Sequence, residues 1–359
     1  MKRWQRVVGL SSAALAALLA AACLSAGCSN VGYLAQSAGG HVALLSRARP
    51  VADLIADNAT PAELRERLAL AQRMRDYAVR ELALPDNRSY RRYADLGRNA
   101  AVWNVVAAPE LSLTLETSCF PVVGCVGYRG YYSRAGADTQ GDALRARGLE
   151  VSVYGVPAYS TLGKLDWLGG DPLLNTFVHW PEGELARLIF HELSHQVAYA
   201  EGDTMFNESF ATAVERIGGA RWLAEQGSEA ARMQYTALEA RRNDFRELTG
   251  RYRDRLDALY KSDAADADKR AAKAALMTEM RAEHAALKAG RWASYTGYDA
   301  WFERANNASI GVLAAYNEWV PQFERLFERE GRSFPRFYAE VIRLAALPAA
   351  ERHAALRSL

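Results

Sequence analysis

Residues 191–196 read His191-Glu192-Leu193-Ser194-His195-Gln196, and the structure around them follows from that run. Two histidines four apart on a helix project from one face, so both imidazoles reach a single metal ion. The glutamate beside the first histidine is then placed to take a proton from a water that the ion activates. The chain has only six histidines in 359 residues, so this pairing is not a by-product of composition.

The flanks ask for a helix. Pro181 suits a first helical position, and Glu182 and Glu184 put negative charge in the first turn, where the helix dipole favours it. Leu185, Leu188, Ile189, Phe190 and Leu193 then make a broad apolar surface, which sets the histidines in a core-lined cleft. No proline interrupts residues 182–200, and Gly202 is the expected stop. A catalytic zinc keeps three protein ligands and a water, so a third ligand is expected downstream. The best candidate is Glu208, thirteen residues after His195 in Asn207-Glu208-Ser209-Phe210-Ala211-Thr212. Gly202-Asp203-Thr204 turns the chain, and a helix from about residue 207 brings the carboxylate back. Ser209, Ala211 and Thr212 are small enough to let the two helices approach. Glu201 and Asp203 are rivals in or beside the turn, where a solvated charge is the plainer reading. No histidine follows at the spacing of a three-histidine site.

Here the chain resembles the gluzincin metallopeptidases, whose signature is His-Glu-x-x-His followed by Asn-Glu-x-x-Ala on the next helix. The matching positions are His191, Glu192 and His195, then Asn207, Glu208 and Ala211. The resemblance implies one zinc ion per chain held by His191, His195 and Glu208, with Glu192 as general base and acid. The two motifs stand closer together than in the better-known members. The chain is also similar to a bacterial family of predicted zinc aminopeptidases. That likeness runs through Gly27-Cys28-Ser29, Leu84-Pro85-Asp86-Asn87, Cys119-Phe120-Pro121 and Asn306-Asn307-Ala308, and covers nearly the whole mature chain. It implies a peptide substrate and an aminopeptidase activity.

The N-terminus reads as a secretory signal over residues 1–27: Lys2, Arg3 and Arg6, an uncharged alanine-rich run from Val7 to Leu24, then Ser25-Ala26-Gly27 ahead of Cys28. A cysteine after small residues resembles a bacterial lipoprotein processing site, with Cys28 as the lipidated first mature residue and a membrane anchor. Ordinary cleavage and an uncleaved anchor are the alternatives, since the apolar run nears the length that spans a bilayer. Ser29 resembles the pattern of outer-membrane retention, with the body in the periplasm. Without the signal, 41 basic residues face 42 acidic ones, and no basic stripe marks a nucleic-acid partner. Cys119 and Cys125 read as a disulfide closing a small loop in an oxidising compartment, with two buried thiols as the alternative.

The mature chain, residues 28–359, is expected to be a single metallopeptidase domain. Its fold class is predominantly helical α+β. Helices are expected over 42–58 and 60–84, the second opening on Thr60-Pro61-Ala62-Glu63. A small mixed sheet should precede the metal helix, from strands at 101–106, 111–115, 125–132 and 149–154, with a short helix at 138–147. From Glu208 onward no strand is expected. Residues 229–289 carry apolar positions at three- and four-residue steps, broken near Ser262, and predict an inserted antiparallel helical hairpin. A partner-binding coiled coil is the sharper reading of the same stripe.

A transition-state oxyanion needs a further donor. The candidates are Tyr159, His179, Tyr295, Tyr298 and Tyr316, of which Tyr316 follows Asn306-Asn307-Ala308 on a late helix able to close over the cleft. Tyr159 and Ser160 lie on an extended stretch suited to pair with a peptide backbone, and Asn306 and Asn307 are candidates to hold substrate amides. An aminopeptidase also needs a carboxylate for the free amine. The familiar Gly-x-Met-Glu-Asn run is absent, leaving Glu182, Glu184 or another acid. Two other functions compete: a zinc endopeptidase acting on envelope proteins, and a non-enzymatic envelope lipoprotein that docks a partner through its hairpin. The intact Glu192 argues against the last, because a structural zinc has no use for that carboxylate.

Overall fold

The strand Val102–Pro109 is buried on both faces, and the rest of the sheet forms around it. The structure is a computed structural model that describes residues 28–120, 124–158, 161–163, 166–314 and 319–359. Its contacts separate two units, residues up to Arg47 and Ala48–Leu359. The first contributes helix α1 (Cys28–Ser46), which carries no acidic or basic side chain at either end. Among the described residues, no helix is long and apolar enough to cross a membrane.

The second unit opens with β1 (Arg49–Pro50), α2 (Val51–Ala56) and α3 (Ala62–Arg80). The continuous helix expected over 42–58 is therefore broken, at a proline that has no N–H to donate to a helix. Helix α3 starts after Pro61, whose backbone is extended at ψ 137, and no side chain caps it. Next come β2 (Arg92–Ala94), β3 (Val102–Pro109), β4 (Ser118–Phe120), β5 (Gly124–Val126) and β6 (Arg129–Tyr131). Helix α4 (Arg134–Arg145) is capped by the Ser133 hydroxyl, which accepts from the Gly136 N–H, and leads into β7 (Leu149–Val156). Strand β3 pairs antiparallel with β6 and β7 on its two sides. Trp103, Val105 and Ala107 pack in one cluster with Ala137 of α4, while Val106 and Ala108 point the other way. Such two-sided burial explains a near-continuous apolar sequence. A second sheet, β1-β2-β8, is mixed: β2 runs antiparallel to β1 and parallel to β8 (Leu173–Leu174). Strands β4 and β5 form a hairpin joined by the Cys119–Cys125 disulfide.

Two expected strands differ. Residues 111–115 are not a strand; the Leu113 carbonyl lies so close to a helix that a Cβ on Gly311 would stand 2.6 Å from it, so this backbone meets a helix and not a ladder. The run 125–132 divides into β5 and β6, which pair with different partners.

After β8 the chain is helical: α5 (Glu182–Ser194), α6 (Thr204–Glu225), α7 (Glu229–Lys261), α8 (Asp266–Ala289), α9 (Asp299–Arg304) and α10 (Asn307–Ala314). Helices α11 (Val320–Arg329), α12 (Phe334–Ala345) and α13 (Ala349–Arg357) complete it. The fold is predominantly helical α+β, with small sheets ahead of the helices. Helices α7 and α8 form the long antiparallel hairpin, whose buried residues Phe245, Tyr252 and Met280 share a cluster with Trp292, just past α8, and Phe302 of α9. Helices α11 and α12 pack Phe323 and Phe337, with tilted rings, against Phe210 of α6.

Candidate metal centre

Helices α5 and α6 are each other's main partners, and glycines let them close up. A Cβ on Gly218 would stand 2.7 Å from Leu82 and 3.1 Å from Phe190, and one on Gly219 would stand 2.8 Å from the Arg187 stem. The metal helix ends earlier than Gly202. Its last residue is Ser194, with His195 at the C-cap still in right-handed helical geometry, so both imidazoles keep one face. The connection to α6 is then shaped by two side chains. Asn207, fully buried, accepts from the Ala200 N–H at 2.7 Å and donates to the Ala200 carbonyl at 2.8 Å. Asp203 caps α6 by accepting from the Phe206 N–H, so α6 starts at Thr204. Gly202, just ahead of Asp203, sits at φ +74, in the left-handed region that favours glycine.

This short loop returns Glu208 to the histidines. Its Oε2 lies 3.3 Å from Nε2 of His191, and its Oε1 lies 3.9 Å from Nε2 of His195. One ligand atom from each of the three residues lies within 4.8 Å of the others. Zinc bonds of about 2.0–2.2 Å in a tetrahedron place ligand atoms about 3.3–3.5 Å apart, so the set fits such an ion with small adjustments. The donor types fit too, two imidazoles and one carboxylate. Asp203 is not a ligand. It is buried against Arg352 and against Nε2 of His353 at 2.7 Å, and ties α13 to the start of α6. Glu201 is exposed.

Behind His191 stands a group that the sequence reading did not single out. Oε2 of Glu215 is 2.9 Å from His191 Nδ1, while its other oxygen pairs with Arg187. Arg187 also donates to Glu239 of α7 at 2.7 Å. The signal was present as spacing: Glu215 follows Glu208 by seven residues and Arg187 precedes His191 by four, each on the same helix face. A carboxylate behind a ligand histidine fixes its ring and raises its basicity. Among the described residues no carboxylate stands behind His195 in this way, its one acidic neighbour being Glu208 at Nε2.

The charges of the protein groups alone are strongly mutual. Burial works against a charged His191, but Glu208 and Glu215 outweigh it and hold the imidazole protonated well above its usual range. Burial pushes His195 down to about 4. Burial would raise Glu215, yet Arg187 and His191 hold it at about 2. Glu192 retains some accessible surface, and burial pushes its carboxyl up to about 7, opposed by His191 and reinforced by Glu208 and Asp171. A base that titrates near neutrality is suited to taking and returning a proton.

Residues 85–90 form a loop whose buried Tyr90 is near enough to Glu192 to feel its charge. The buried Arg75 guanidinium donates to the carbonyls of Pro85 at 2.6 Å and Ser89 at 3.0 Å, and so shapes that loop. Asn87 donates to Gln196, which in turn donates to Ser89 Oγ at 3.2 Å. Asp171 is buried next to this loop and accepts from the Thr161 N–H at 3.0 Å.

The other described candidates named below are engaged elsewhere in the protein, Glu184 beside the centre excepted. Tyr159, Ser160 and Tyr316 lie outside the described residues. Asn306 and Asn307, expected to hold substrate amides, have their side chains bonded within the protein instead. Asn307 is buried, donates to the carbonyls of Pro109 and Glu110 at 3.0 and 2.7 Å, and accepts from Tyr260 at 2.8 Å. Asn306 donates to the Val151 carbonyl at 3.0 Å and caps α10 by accepting from the Ser309 N–H. These bonds join α10 to β3 and β7 and leave the amides committed. His179 lies 3.3 Å from Glu63 at the surface, and Tyr295 packs among the hairpin aromatics. Glu182 accepts from Trp222 Nε1 at 3.0 Å, whereas Glu184 pairs with Arg242 at the wall of a cavity beside His191.

Two imidazoles, a converging carboxylate and a recessed glutamate make a site compatible with a metal-dependent hydrolase. The chain belongs to the family described as "Putative aminopeptidase", whose model matches residues 32–356. No curated protein and no solved structure matches it.

Proposed function

We propose that this protein is a zinc-dependent peptidase of the aminopeptidase type, with Glu192 as its general base. The convergence of His191, His195 and Glu208 beside Glu192, in a chain of a family described as aminopeptidases, carries the reading. A zinc ion held by these three side chains supplies Lewis acidity, lowering the pKa of a water and polarising the scissile carbonyl. Glu192 takes the proton of the attacking water and delivers it to the leaving amine. Glu215 keeps His191 in one orientation, and Arg187 keeps Glu215 charged. Residues 87 and 89 hold Gln196, the residue that follows His195. The protein is further proposed to sit in the cell envelope, held to the membrane by a lipid on Cys28, a reading supported by the Ser25-Ala26-Gly27-Cys28 run.

The test is metal analysis and peptide cleavage by purified full-length protein in detergent. About one zinc per chain is expected, with cleavage of free N-terminal peptides but not of their N-acetylated forms. Cleavage of both forms makes it an endopeptidase. Full metal loading without cleavage across a broad library would leave a docking lipoprotein.

A further inference from the structure

Beside His191 lies a cavity of about 540 Å³ that the proposed chemistry does not use. Leu188, Phe245, Tyr298, Ile310 and Leu313 form its apolar walls. Its charged lining is already paired: Arg187 with Glu215 and Glu239, Arg242 with Glu184 and Glu239, Arg246 with Glu239. Arg253 pairs with Asp254 at 3.1 Å towards the outside. Glu184, Leu188 and His191 share one face of α5, which gives the cavity a reach of about 10 Å from the metal centre.

One residue of the lining has no structural reason to be what it is. Gly250 is the sole glycine of the 33-residue helix α7. Glycine inside a helix is less favourable than any residue but proline. It is absent from the glycines with positive φ, so its backbone asks for nothing special. A Cβ on it would meet nothing within 4 Å, in contrast to Gly218 and Gly219, which α5 crowds. Close packing and backbone conformation are thus both removed as reasons. What glycine supplies at this position is open space in the cavity.

We propose that this cavity receives a large apolar side chain of the peptide, flanking the scissile bond, and that Gly250 sets its depth. The inference rests on the peptidase reading for its substrate and names that substrate's class. An ionic side chain would have to compete with ion pairs that already engage the charged lining, Glu184 through one of its two oxygens, whereas an apolar one gains burial against five apolar walls.

The test uses full-length Gly250→Ala and Gly250→Leu proteins, with thermal unfolding as the folding control, since neither side chain meets a neighbour at its Cβ. Cleavage is followed on peptides carrying Phe, Leu, Ala, Asp or Lys at either side of the bond. Wild type should favour Phe and Leu. Gly250→Leu should lower kcat/KM for those peptides by about 10- to 200-fold, the scale of one misplaced methylene, while Ala peptides change little. Gly250→Ala should fall between. A folded Gly250→Leu protein with unchanged preference overturns the proposal. So does a wild type that favours Lys, which would assign the cavity to the unpartnered Oε1 of Glu184. Calorimetric binding of phenylalaninamide and alaninamide to Glu192→Gln protein separates the two readings. If no peptide is cleaved, the peptidase reading falls alone. The pocket then stands if Gly250→Leu abolishes a preference for phenylalaninamide, and falls if that preference is missing or unaffected.

Discussion

Helices α5 and α6 and helices α7 and α8 are both antiparallel pairs, yet they are held together in opposite ways. In the first pair the backbones close up at Gly218 and Gly219, and the ion pair between them, Arg187 with Glu215, is almost sealed from water. In the second, aromatic side chains fill the interface, and the pairs along it, such as Arg251 with Glu283, are about half exposed. The difference teaches where position matters. A buried pair with no slack holds His191 to one orientation, while a solvated brace only has to persist. Each variant below either breaks that contrast or sharpens it.

The largest effect belongs to the site itself. Glu192→Gln is expected to cut peptide turnover about 10²- to 10⁴-fold, the range of a general base, with zinc content unchanged. Loss of both together would mean that the residue holds the metal or the fold, not a proton. Metal analysis beside a kinetic assay decides.

Next comes the contrast of charges. Arg187→Met removes the guanidinium that Glu215 faces and leaves that carboxylate only His191, and is expected to cost about 3–5 kcal/mol in chemical denaturation and to weaken zinc retention against a chelator. Arg251→Ala should change stability by less than about 0.5 kcal/mol, because its partner is already solvated. Equal losses at the two sites would erase the distinction.

A buried acid behind the centre adds a pH signature. Burial pushes Asp171 up from 3.8 to about 6, against the pull of its Thr161 hydrogen bonds. Since the folded-state value lies above the unfolded one, protonated Asp171 favours folding. Its contribution is complete below about pH 4 and is lost as pH rises through 6. Asp171→Asn keeps an acceptor for Thr161, so it should gain up to about 3 kcal/mol over wild type at pH 7 and nothing at pH 4. Urea titrations of chelator-treated protein across that range test it, and parallel curves would refute it.

The legible parts of the sequence were those governed by short periods. The i, i+4 histidines, the Asn-Glu run and the hairpin stripe each depend on one helix geometry, and the structure brings His191, His195 and Glu208 together. Contacts set by tertiary packing were not legible. Asn306 and Asn307 look like a polar pair free for a ligand until β3 and β7 take up their amides from about 150–200 positions earlier in the chain. Residues 111–115 have strand composition but meet Gly311 of α10 in place of a neighbouring strand. Glu215 lay within reach of the same helical spacing that found Glu208, but nothing local distinguishes it from a surface acid, and only Arg187 and His191 make it a buried one.

The smallest effects carry the comparison furthest, because one substitution is expected to act with opposite sign in the two helix pairs. Alanine is a better helix former than glycine by about 1 kcal/mol, and that gain is the same at Gly219 and Gly250. At Gly219 the new Cβ stands 2.8 Å from the Arg187 stem, close to its backbone and not at its flexible end, so Arg187 must shift and Glu215 with it. A net loss of about 1–3 kcal/mol is expected there, together with weaker zinc binding. At Gly250 the same Cβ meets nothing, so the helix gain of about 0.5–1 kcal/mol should appear almost whole. Thermal unfolding of the two variants reads the signs directly. Two gains would show that α5 and α6 have slack, and then Glu215 could not hold His191 to one orientation. Two losses would show that α7 packs more tightly at Gly250 than its open surroundings allow.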